Sequence, residues 1–125
     1  MVHYPTAAEI TAPNAEDEDG EYWDPWEALG LRCLSYNSEI DQNAIDVLRG
    51  IGDKLYNSDI AARTGLPAQY VELLQSIFCG SDWCEYGTSP RGCFPMADDF
   101  PALIAAWEAF YERRWGEPPA QKAQP

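Results

Sequence analysis

Four cysteines are the residues of this 125-residue chain best suited to chemistry. Cys79, Cys84 and Cys93 cluster, and Cys33 lies upstream. Four thiolates could hold a structural zinc, but the C-x4-C-x8-C spacing lacks the close C-x2-C pairs such sites use. A disulfide is the second chemistry. If the chain turns through Gly87 to Pro90, Cys84 and Cys93 fall opposite each other near disulfide distance, although an intracellular protein normally keeps thiols reduced. The reading we favour is that the cysteines are small buried hydrophobes.

Catalysis has little else to use. The sole histidine is His3, in a segment expected to be mobile, so no His-assisted nucleophile is available. There is no glycine-rich phosphate loop, and the acids near the N-terminus form a run rather than a preorganised pair. The expectation is a non-enzymatic binding protein with no catalytic residue and no cofactor.

Charge constrains the partner. The chain has 21 acidic against 8 basic residues, a net charge of −13. Glu9 to Glu27 holds eight acids and no base. Such a field repels nucleic acid and attracts basic surfaces at low salt. No run of about 18 apolar residues exists to span a membrane. The N-terminus lacks a basic start and apolar stretch, so a soluble, cytoplasmic protein is expected.

The elements that must position any site are legible as periodicities. Residues 1–22 read as a disordered acidic arm, 23–116 as one domain and 117–125 as a disordered tail. Asp24 and Pro25 offer a cap and first helical position for a short docking helix that carries Trp26, with Trp23 beside it. Ile40, Ala44, Ile45, Leu48 and Ile51 mark one face of a helix from about Asp41 to Gly50, closed by Gly50 and Gly52. Asn57 or Ser58 can cap a short helix over Asp59 to Arg63, with Ile60 and Ala61 inward. Gly65 can take the positive φ of a tight turn, and Leu66 plugs the angle. Pro67 opens a second helix whose buried side is Val71, Leu74 and Ile77, with Leu73 and Phe78 alongside. Alternation through Trp83, Cys84 and Tyr86, then Cys93 and Phe94, predicts a hairpin, with Lys54 to Tyr56 as a candidate third strand. Last comes a helix capped by Asp98 or Asp99 and striped by Leu103, Ile104, Trp107, Phe110 and Tyr111. Arg113 and Arg114 suit its C-terminal end, and Gly116 stops it.

The stretch "NSDIAARTGLPAQYVELLQSIF" resembles the helix-turn-helix superfamily, whose pattern of inward Ala, Gly four later and branched apolar residue six beyond is met by Ala61, Gly65 and Val71. The hairpin that follows makes a winged version the expected fold: mainly α with a small β-hairpin, an N-terminal acidic arm and a C-terminal helix. The resemblance implies DNA binding through the second helix of the pair. Its expected outward residues are Ala68, Gln69, Tyr70, Glu72, Gln75 and Ser76, with Arg91 at the hairpin tip. Gln69 and Gln75 could read adenine edges, and Tyr70 or Ser76 could reach a phosphate. A small transcriptional regulator is the leading expectation, and the C-terminal helix could either pack on its own domain or pair two copies as a homodimer.

Charge argues for the alternative. The second helix has no Lys or Arg, and the segment from Asn43 to Met96 is net negative. The same scaffold could bind a basic protein partner, with Glu16, Asp17, Glu18, Asp19 and Glu21 as an acidic partner-binding arm. Small acidic inhibitors of phages and mobile elements, including anti-restriction and anti-CRISPR proteins, are similar in size and charge.

Overall fold

The computed structural model describes residues 24–31, 37–80, 83–85, 92–96 and 100–121. The first helix, α1 (Pro25–Ala28), starts because Asp24 accepts from the backbone N–H groups of Trp26 and Glu27 at 2.9 and 3.3 Å. Pro25 sits where a missing N–H costs nothing. This short turn matters because it drives Trp26 into the centre of the protein, where it is fully buried.

Helix α2 (Ser38–Gly52) is longer at both ends than its apolar stripe indicates. The Asn37 side chain caps it, accepting from the Ile40 N–H at 2.9 Å. Ala44, Ile45, Val47, Leu48 and Ile51 are all fully buried. Gly50 lies inside the helix instead of ending it. A Cβ there would come 2.6 Å from Cγ1 of Ile60, so the glycine admits the next helix at close range. The end is a Schellman motif: Lys54 takes φ +60°, Leu55 N–H reaches the Gly50 carbonyl and Lys54 N–H reaches that of Ile51. That wrap explains why Lys54 to Tyr56 is not the expected third strand. Among the described residues the sheet has two strands.

A corner of two helices follows. Helix α3 (Asn57–Thr64) ends at Gly65, which adopts φ +77°, and α4 (Ala68–Cys79) begins after an extended Pro67. Thr64 secures the corner: its hydroxyl donates to the Ile60 carbonyl at 2.8 Å and accepts from Leu66 N–H at 3.2 Å. The expected cap is corrected, since α3 begins at Asn57 itself, behind Tyr56, with no side-chain cap bond. Asn57 is turned into the interior instead, only 6% exposed.

Strands β1 (Cys84–Glu85) and β2 (Phe94–Pro95) pair antiparallel, Cys84 opposite Pro95 and Glu85 opposite Phe94. Helix α5 (Phe100–Trp115) then packs against α2. Gly116, at φ +81°, ends it by donating to the Glu112 carbonyl. Its Trp107 is the hub of the core. The indole meets Trp26, Phe78, Trp83 and Phe110 edge to face, with ring centroids 5.2 to 6.5 Å apart. Each such pair contributes roughly 0.5–1.5 kcal/mol beyond its buried area. One side chain thereby joins α1, α4, the approach to β1 and α5.

The stripe of α5 packs inside the domain, Trp107 being fully buried and Tyr111 only 6% exposed. The expected unstructured tail lies against α2 as far as Gln121, with Pro119 buried and Ala120 bonded to Gln42. No helix of the described residues is long and apolar enough to cross a membrane.

Candidate binding surface

Helix α4 carries the residues selected from sequence. Val71, Leu74 and Phe78 point inward, at 0 to 2% exposure. Ala68, Gln69, Glu72 and Ser76 are exposed and Tyr70 is half-buried, so five of the expected outward positions share an accessible or partly accessible side.

Gln75 is corrected. It is 3% exposed, because it stands four residues after Val71 and three before Phe78, on the face those residues bury. It can neither read a base nor meet a partner. Its Nε2 and the Oδ1 of Asn57 are buried without a hydrogen-bond partner among the described residues. Both amides crowd Gly92, which holds φ +88°, and a Cβ there would overlap Asn57 Oδ1 and Gln75 Oε1. Leu73 errs in the opposite direction. Expected beside the buried side, it is 55% exposed, two residues past Val71 and hence turned away from it. The outer face of α4 therefore presents Gln69, Glu72 and Ser76 around an exposed leucine, without a cation.

The other cations of the described residues stand on other elements, Arg113 exposed near the end of α5. Arg49 bonds Glu108 at 2.6 Å and Asp46 at 3.2 Å. Arg63 bonds Asp53 at 2.8 Å. Arg114 approaches Asp24 at 3.9 Å and stacks near the Phe110 and Trp115 rings. Lys54 is exposed in the turn after α2.

The cysteine expectations also change. Cys79 and Cys93 form a disulfide, with Cα atoms 6.8 Å apart, tying the end of α4 to the residue before β2. Cys84 faces Pro95, not Cys93, and remains a free buried thiol. Burial pushes that thiol from 9.0 up to about 12, so it stays neutral and non-nucleophilic at ordinary pH. With two sulfurs bonded to each other, the four-cysteine zinc arrangement of Cys33, Cys79, Cys84 and Cys93 does not stand. Among the described residues no group of three His, Cys, Asp or Glu side chains gathers as for a metal. Cys33, Arg91 and the acidic positions Glu16, Asp17, Glu18, Asp19 and Glu21 lie outside the described residues.

Sequence reasoning missed Gln42. Its carboxamide accepts from Ala120 N–H at 2.7 Å and donates to the Ala120 carbonyl at 2.9 Å. The one signal available was a polar residue two turns before Arg49 on the same helix. No family model, curated protein or solved structure matches the chain.

Proposed function

We propose that the chain is a non-enzymatic protein-binding module, built on a helix-turn-helix-like corner, that presents the outer face of α4 to a basic protein partner. The observation that carries this reading is Leu73, 55% exposed in the middle of a face whose only charge is Glu72. An exposed apolar residue ringed by small polar groups suits a protein interface, in which a buried anchor supplies affinity and a polar rim excludes water. DNA affinity, in contrast, comes largely from cations set against phosphates, and Arg49 and Arg63 are engaged by carboxylates. The net charge of −13 favours a basic partner by the same long-range field, with Glu16 to Glu21 as a supplementary acidic arm.

DNA-binding regulation is the second reading. It rests on the left-handed Gly65 and the extended Pro67, which give the corner superfamily-like punctuation. Selection from a randomised duplex library, followed by gel shift across a salt series, separates the two. We expect no enriched sequence. We also expect a photo-crosslinker at position 73 to give a discrete protein adduct that is absent with the probe at the exposed Ala62. An enriched duplex whose affinity drops on Gln69→Ala would overturn the protein reading in favour of DNA.

A further inference from the structure

We propose that α2 and α5 form a second binding site, one that reads an extended peptide backbone, and that the chain's own Pro119 to Gln121 is its resident ligand. The site shares no residue with the α4 face, so it stands or falls separately from the function proposed above.

The geometry is that of one rung of an antiparallel ladder made by a side chain. The Gln42 carboxamide accepts from the N–H and donates to the carbonyl of the same residue, Ala120, at 2.7 and 2.9 Å. Arg49 Nη1 adds a 2.6 Å bond to that carbonyl. The receptor side is also held by bonds that do not involve the tail. Gln42 Nε2 also donates to Asp46 Oδ1 at 2.9 Å, and Asp46 is only 2% exposed. Arg49 bonds the same Asp46 oxygen at 3.2 Å and is held from the other side by Glu108. This network sets which end of the Gln42 amide accepts and which donates, so the clamp is preorganised.

Its specificity follows from what is touched. Both Gln42 bonds go to main chain, and Ala120 itself is exposed, so the side chain at that position is not read. An N–H is required there, which excludes proline. The preceding Pro119 is buried and fixes the extended approach. Past this rung, Gln121 borders a cavity of about 350 Å³ floored by Phe100, Pro101 and Ile104 and edged by Asp53 and Arg63.

The test uses the full chain. Ala120→Pro removes the N–H that Gln42 reads and so frees the site from its own tail. A fluorescent, end-blocked peptide with the sequence of Gly116 to Gln121 is titrated into it. We expect saturable binding to A120P and roughly tenfold or weaker binding to the unaltered chain, whose tail competes at high effective concentration. Adding Gln42→Ala to A120P should weaken capture roughly tenfold or more, and a peptide with proline at the alanine position should not bind. Lack of saturation with A120P, or equal capture with and without Gln42, overturns the proposal. Amide exchange gives an independent reading in the unaltered tail: Ala120 N–H should exchange at least roughly tenfold faster in Gln42→Ala. Equal rates would show that the clamp does not form.

Discussion

Two buried polar clusters in this protein are solved in opposite ways. Asp41 has no exposed surface, yet both carboxyl oxygens are used: Trp26 Nε1 donates to one at 2.6 Å and Trp115 Nε1 to the other at 2.7 Å. It thereby joins α1 and the end of α5 to α2. Asn57 and Gln75 are nearly as buried, but each keeps a polar atom without a partner among the described residues, and the hairpin backbone at Gly92 is pressed against both. A satisfied buried polar group locates elements relative to one another. An unsatisfied one is tolerated only where surrounding constraints hold it. Here the constraint is visible, because the Cys79–Cys93 disulfide lies immediately beside Gly92.

The sharpest way to break the comparison is Asp41→Ala. It strands the buried Trp26 indole N–H and the half-buried Trp115 one, and should cost roughly 3–5 kcal/mol, read as a drop in the denaturant midpoint. Asp41→Asn keeps one acceptor and should lose about half as much. Equal losses for the two variants would show that the second indole bond adds nothing. Next comes Gly92→Ala, which combines positive φ with overlap on two amides and should cost about 3–4 kcal/mol. Part of that loss should disappear when Gln75→Ala is combined with it, since one of the overlapping groups is gone. Strict additivity would mean that φ alone sets the cost.

These residues also show what could be read from the sequence. Asp24–Pro25, Gly65–Pro67 and the Leu103, Trp107, Phe110 stripe were legible because each acts through its own neighbours: a cap, a turn, a repeat of three or four. The corner and the closing helix stand where those signals put them. At Gln75 and Leu73 helical geometry outranks polarity. Counted from Val71, the helical angle turns Gln75 inward and Leu73 outward whatever their chemistry. Lys54 looked like strand because its role in the Schellman wrap depends on carbonyls of α2. The pairing of Cys79 with Cys93 was hidden for another reason. It depends on where the end of α4 meets the strand pair, which no local pattern encodes.

That disulfide supplies the third test. It links cysteines 14 positions apart in the sequence, for which chain entropy gives about 3 kcal/mol. Reduction should lower the unfolding midpoint accordingly. A reduced protein with an unchanged midpoint would show that the bridge does not hold the hairpin against the two amides.

The smallest effect discriminates most finely between the two clusters. Gln75→Leu replaces an amide by an apolar group of similar length on a face already lined by Val71 and Phe78, and it removes a buried donor that has no partner among the described residues. The lost amide contributes little by itself, and the burial penalty it carried goes with it. The expected change is within about 1 kcal/mol of zero, in either direction. Asp41, buried to a similar degree, should be several times more costly to remove. The ratio of the two losses therefore measures satisfaction rather than burial. A loss for Gln75→Leu approaching that of Asp41→Ala would mean that solvent trapped beside Gly92 completes the Asn57 and Gln75 bonds, and that the two clusters differ only in who supplies the partner.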